Sequence, residues 1–432
     1  MNKKKGLIAL SPLILFIGIY LITSIIAGDF YKMPISVAFL ISGIYAVGLS
    51  SGKGKKTLQE RINIFSRGAG NANILSMLWI FILAGAFANT AKDIGCVEAT
   101  VNMMLRVLPD SIFLAGLFIV TCFISLSIGT STGAIVALVP IAAGLADTTG
   151  SNLPLITALV VGGAFFGDNL SFISDTTIAA TSSQGCKMND KFKVNSYIVF
   201  PVAIAILVVY IILGSGIKAP TDIPRIEFVK LIPYLAVFIT ALMGMNVMKV
   251  LTVGIILTGV IGISSGSSDM FGWFGSIGTG INNMSELIII TMLAGGLFET
   301  VKSNGGIDYI IDKITRRIHG RRGAELVIGF LVASVNVCTA NNTVAIISVG
   351  GIAKQISQTY NVDSRKAASI LDTFSCFMQG IIPYGAQILM AAGLTRQNPV
   401  ELIPYLYYPF ALGLFAIICI LINFPKNYSK QQ

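Results

Sequence analysis

Long apolar runs alternate with short polar ones along this chain, and most runs match the roughly 20 residues a helix needs to cross a bilayer. Hydropathy predicts helical pieces over 7–27, 33–50, 74–91, 112–128, 129–147, 153–182 and 195–215 in the first half. A second set follows over 229–244, 247–265, 285–302, 324–339, 340–358, 369–394 and 401–423. Barrel strands alternate residue by residue, so continuous runs exclude an outer-membrane barrel. The pattern predicts an all-α polytopic membrane protein. The first run follows Lys3, Lys4 and Lys5 as in a signal peptide. It is long enough to span, and no small-residue cleavage site follows, so it reads as an uncleaved first helix.

The polar interruptions recur. Leu83–Gly95 matches Leu293–Gly305 at an offset of 210, and Ser127–Ala137 matches Asn336–Ile346 at 209. That register sets Phe172–Thr176 against Ile381–Gly385. Matches in nearly constant register predict a duplicated unit, with residues 1–215 as the first transmembrane repeat and 216–432 as the second. An odd number of crossings per half turns the second repeat upside down. The expectation is two inverted-topology repeats with broken or re-entrant helices. Basic loops fit that inversion. Lys53, Lys55, Lys56, Arg61 and Arg67 fall in a loop predicted to be cytoplasmic, and the matching 264–284 carries no Lys or Arg. The loops holding Lys313, Arg316, Arg317, Arg321 and Arg322, then Arg365 and Lys366, then Lys187, Lys191 and Lys193, are predicted on the same side. Both termini then lie in the cytoplasm.

Composition narrows the class further. Only 12% of residues are charged, against about 25% in soluble domains. The net charge of +10 is therefore assigned to cytoplasmic loops rather than to a nucleic-acid partner. Cys96, Cys122, Cys186, Cys338, Cys376 and Cys419 lie far apart and read as small buried hydrophobes. The single histidine, His319, sits in a basic run and reads as a solvated loop residue. No phosphate-binding GxxxxGK[ST] run, metal-ligand spacing or Ser/His/Asp set occurs, so neither an enzyme nor a cofactor is expected.

The chemistry concentrates in Gly162–Thr177, where two carboxylates lie inside an apolar stretch. A charge at the bilayer centre costs about 2.5–3.5 kcal/mol on insertion scales and marks an ion or substrate pathway. Asp168 and Asp175 are seven residues apart, on one face if their helix is unbroken. Na+ prefers oxygen ligands. Desolvation favours the neutral form of a carboxylic acid, so a dry carboxylate takes either a proton or a cation, and this competition is the minimum needed for exchange. Asn169, Ser171, Ser174, Thr176 and Thr177 are candidate neutral ligands, and the neighbouring glycines suggest backbone that leaves the helix. Thr130, Ser131 and Thr132 in one half, and Thr339, Asn341, Asn342 and Thr343 in the other, are predicted paired breaks near the midplane. Gln379, Tyr384 and Gln387 flank Pro383 and Gly385 and read either as contacts to an organic substrate or as helix packing. Asp372 reads equally as a cap, a surface residue or a transport residue; Glu299, opposite Asn89 in the repeat, carries less weight.

The run Gly162–Thr177 resembles the signature of the NhaC-type Na+/H+ antiporters of the ion transporter superfamily, and the resemblance extends over most of the chain. It implies sodium/proton exchange across the bacterial inner membrane on two inverted repeats, with Asp168, Ser171, Ser174, Asp175, Thr176 and Thr177 binding the ion. Asn169 stands where that signature often has a base, and Phe172 where it often has a proline. The superfamily includes exchangers of malate and lactate and relatives that move amino acids, and Ile382–Gln387 looks more like the latter. Its members often dimerise, which makes a homodimer an expectation by analogy. The expected function is Na+/H+ antiport, with lipid, Na+ and H+ as partners and Na+ coordinated by Asp168 and Asp175. The alternative is Na+- or H+-coupled transport of an amino acid or small organic acid.

Overall fold

In hydrocarbon every backbone N–H and C=O must find its partner within the chain, and the apolar runs meet that demand as helices. A computed structural model describes residues 3–27, 33–49, 56–107, 109, 112–171, 174–217, 223–243, 245–315, 318 and 320–428. The first half holds α1 (Lys3–Ala27), α2 (Ile35–Gly48), α3 (Leu58–Ala69), α4 (Ala72–Asp93), α5 (Cys96–Val107), α6 (Phe113–Ile128), α7 (Ser131–Thr149), α8 (Leu153–Leu170), α9 (Asp175–Gln184) and α10 (Met188–Gly214). The second holds α11 (Ile232–Leu242), α12 (Val247–Ser264), α13 (Met270–Asn283), α14 (Ser285–Ser303), α15 (Gly306–Thr315), α16 (Gly320–Thr339), α17 (Asn342–Thr359), α18 (Ser364–Gln379), α19 (Ala386–Thr395), α20 (Pro399–Leu402) and α21 (Tyr407–Leu421). Among the described residues, seven helices are long and apolar enough to cross a membrane, or eight if the bent pair Pro399–Tyr405 and Tyr407–Leu421 is one span.

Contacts between the halves come in reciprocal pairs. Helix α3 packs on α14 and α13 on α4; α2 packs on α14 and α12 on α4; α9 packs on α17 and α19 on α7. Two of these crossings meet at backbone distance. A Cβ on Gly68 would run into the Gly295 carbonyl oxygen, and one on Gly85 into that of Gly280. Small residues at such crossings are what let membrane helices approach closely.

Helix α8 is buried from Ile156 to Leu170. Its glycines do not break it. Gly163 and Gly167 stay helical and press against Thr121 and Ser125 of α6, where the Ser125 hydroxyl donates to the Ala164 carbonyl at 2.6 Å. The break comes later, at Ser171 and Ser174, both in extended backbone. Asp168 and Asp175 therefore do not share one face of a continuous helix. Most described bases of the expected basic loops are helical instead: Arg61 and Arg67 lie in α3, Lys313 in α15, and Arg321 and Arg322 in α16. Lys191 and Lys193 lie inside α10, and Arg365 and Lys366 form the first turn of α18. Lys366 is buried and meets Glu325 of α16 at 2.8 Å. The reading of His319 falls on a residue outside those described, as do those of Arg316, Arg317, Lys53 and Lys55.

Candidate functional site

Four helix breaks build the site, two in each half. Between α6 and α7, Gly129 turns left-handed with φ 74°. Between α16 and α17, Ala340 does the same with φ 48°. The next residue caps the new helix in both cases. Thr130 accepts from the Gly133 amide at 3.3 Å, and Asn341 from the Val344 amide at 2.9 Å. Ser and Asn side chains are preferred at such positions because their oxygens satisfy free amides of the first turn. The other two breaks separate α8 from α9 and α18 from α19. Ser174 caps α9 through the Thr177 amide, while Gly385 precedes α19 without a side-chain cap.

Asp168 sits near the end of α8, 5% exposed, and its Oδ1 accepts from the Ser131 amide at 2.8 Å. That amide belongs to the first residue of α7, so the carboxylate lies against a helix N-terminus, where backbone dipoles favour negative charge. A chain of hydrogen bonds continues from there into the other half. Gln387 donates to the Ser131 hydroxyl at 3.0 Å, Gln379 donates to Gln387 Oε1 at 2.9 Å, and Gln379 also donates to the Ala340 carbonyl at 3.1 Å. Gln379 Oε1 is buried without a partner among the described residues. Asp168 is thus linked from the break before α7 to the break before α17.

The Asn169 side chain donates to the Phe165 carbonyl at 2.8 Å, while its backbone faces a different cluster. Its carbonyl accepts from Lys191 Nζ and from Asn195, each at 2.8 Å. Lys191 also donates to Thr177 Oγ1 at 2.6 Å and pairs with Asp372 Oδ2 at 2.8 Å. Asn195 donates to the same Asp372 oxygen at 2.8 Å. Lys191 and Asp372 are 1% and 0% exposed, so this pair joining α10 to α18 is as dry as the core.

The remaining candidates take local roles. Ser174 donates to the Asp168 carbonyl at 2.9 Å, Thr177 to the Ser171 carbonyl at 2.8 Å, and Thr176 lies within 3.2 Å of Ser174. Together they hold the break before α9 closed on itself. Ser171 donates to the Leu126 carbonyl, Thr132 meets Thr130 at 2.7 Å, and Thr339 donates to the Asn341 carbonyl. Asn342 accepts from the Thr343 amide at 3.1 Å. Tyr384 donates to the Val337 carbonyl and packs its ring among Phe16, Phe39 and Phe298, which places it in helix packing. Asp175 stands apart, exposed in the first turn of α9. No group of three His, Cys, Asp or Glu side chains able to hold a metal occurs among the described residues. A cation at this site would rest on one carboxylate and neutral oxygens.

Sequence reasoning missed Lys191 and Asn195, and left Asp372 open. The signal was present: Lys191 and Asn195 are four residues apart and share a face of an apolar helix.

Many buried helices, paired breaks and a lone carboxylate at a helix N-terminus define a multi-pass membrane transporter of the secondary class. A model of the Na+/H+ antiporter family matches residues 7–215 and 222–424. The chain belongs to that family, which is one of transporters. It is 22% identical over 448 residues to the malate-2H(+)/Na(+)-lactate antiporter of Bacillus subtilis, with 94% of each chain covered. It is 21% identical over 376 residues to the Na(+)/H(+) antiporter NhaC of Alkalihalophilus pseudofirmus, covering 79% of this chain and 80% of that one. Identity to the arginine/ornithine antiporter ArcD of Halobacterium salinarum is 22% over 406 residues, covering 84% and 82%.

Proposed function

We propose that the chain exchanges Na+ for H+ across the bacterial inner membrane, with both termini in the cytoplasm and its two halves inverted about the bilayer plane. The carrying observation is Asp168: one buried carboxylate held at the start of α7 and linked through Ser131, Gln387 and Gln379 to the opposite break. Na+ rests on Asp168 and on oxygens of the two breaks. A proton arriving at the same carboxylate cancels its charge and releases the ion. Reciprocal contacts between the halves fit the two-fold relation this requires, and the exposed bases Arg67, Lys187, Lys193, Lys313 and Arg322 support the orientation. Asp175, exposed in the first turn of α9, draws cations towards the site without ligating the bound ion.

A second reading rests on the amides. Gln379 and Gln387 supply a donor–acceptor pair with one acceptor left over, which suits the polar groups of an amino acid or small organic acid. Proteoliposomes separate the two. Collapse of an imposed pH gradient on adding Na+ alone supports exchange of the two ions. Silence until an organic solute is supplied passes the assignment to the second reading.

A further inference from the structure

We propose that the Lys191 ammonium is a built-in cation, seated in an oxygen cage of the kind that holds a small hard cation, and that it keeps Asp372 out of the exchange reaction. Three oxygens of three chemical types surround Nζ: the Asn169 carbonyl at 2.8 Å, the Thr177 hydroxyl at 2.6 Å and Asp372 Oδ2 at 2.8 Å. A backbone carbonyl freed at a helix break, a hydroxyl and a carboxylate are the donor set that hard cations select. The cage is dry, and Asn195 fixes two of its oxygens by donating to both the Asn169 carbonyl and Asp372 Oδ2. Asp372 Oδ1 is buried with no partner among the described residues, so the carboxylate has an oxygen to spare for a bound ion. A structural salt bridge needs one partner for its ammonium. Here the ammonium is surrounded by ligands drawn from α8, α9 and α18, and its tether comes from α10.

The consequence is stoichiometric. Two dry carboxylates face the helix breaks, yet one carries its own charge-balancing cation. That leaves Asp168 as the single position for exchanged Na+, a conclusion that rests on the function proposed above. Taking the ammonium away leaves Asp372 as an uncompensated buried charge in a ready-made cage, and Na+ fills it.

Equilibrium binding of radiolabelled Na+ to the purified full chain tests this. The native protein is expected to bind one Na+, Lys191→Met two, and Lys191→Met with Asp372→Asn one again. Asp168→Asn removes one ion from each background. Saturation of Lys191→Met at one ion overturns the proposal. So does loss of all binding when both charges of the pair are removed, because Asp372 would then belong to the exchanged-ion site. If Lys191→Met does not fold, the charge-free double variant carries the test by that second criterion. A native chain that binds no Na+ at all would instead sink the Asp168 assignment.

Discussion

The two halves use the same break and fill it differently. Gly129 and Ala340 make the same left-handed turn, and Thr130 and Asn341 cap the helix that follows. Counted from the helix starts Leu153 and Ser364, Asp168 and Gln379 are both the sixteenth residue. Each reaches back to the break before it, Asp168 to the Ser131 amide and Gln379 to the Ala340 carbonyl. One half therefore presents a charge and the other a neutral amide on equivalent backbone. Two facing carboxylates would repel one another and favour one shared proton. A carboxylate facing an amide binds one monovalent ion without that conflict.

The largest test of this asymmetry is Asp168→Asn. The amide oxygen still accepts from the Ser131 amide, so expression and folding hold, while Na+-dependent proton flux in proteoliposomes is abolished. Next comes the turn itself. Gly129→Ala forces a Cβ into left-handed backbone and costs about 1–2 kcal/mol, read as a lower unfolding midpoint in detergent at fixed scan rate. Asp175→Asn separates the two aspartates. The half-saturating Na+ concentration rises roughly threefold at low salt and the maximal rate stays, as loss of a screened surface charge implies; loss of the maximal rate would instead make Asp175 a ligand. The smallest effect is the mirror substitution, Ala340→Gly. It relieves the strained turn of the second half and gains at most about 1 kcal/mol, because the added chain freedom of glycine offsets part of the relief.

Much of this was written in the pattern of apolar runs. The breaks at Thr130–Thr132 and Thr339–Thr343 were legible because polar residues cannot continue a lipid-facing helix without partners. The short helices α3, α5 and α15 were not, because 10–12 residues with charged faces pass neither for spans nor for turns, and α13, uncharged and rich in glycine, reads as a loop. The register expected from the matching segments drifts as well. The first-half break runs from Ser171 to Ser174 and the second from Gly380 to Gly385, so Asp175 aligns with the helix start at Ala386 rather than with Tyr384. Lys191 escaped because a lysine near other lysines reads as a cytoplasmic loop, a pattern that hid the shared face it forms with Asn195. Lys366 misled in the same way, its partner Glu325 lying 41 residues upstream on α16.

The glycine crossings also bear on how such a molecule moves. Where Gly68 lies on Gly295 and Gly85 on Gly280, main chain lies against main chain at the seam. Sliding there would drag one main chain over another. Any switch of access that spares this joint uses it as a fulcrum, and the travel falls to α7, α9, α17 and α19, whose ends are already cut free of their neighbours.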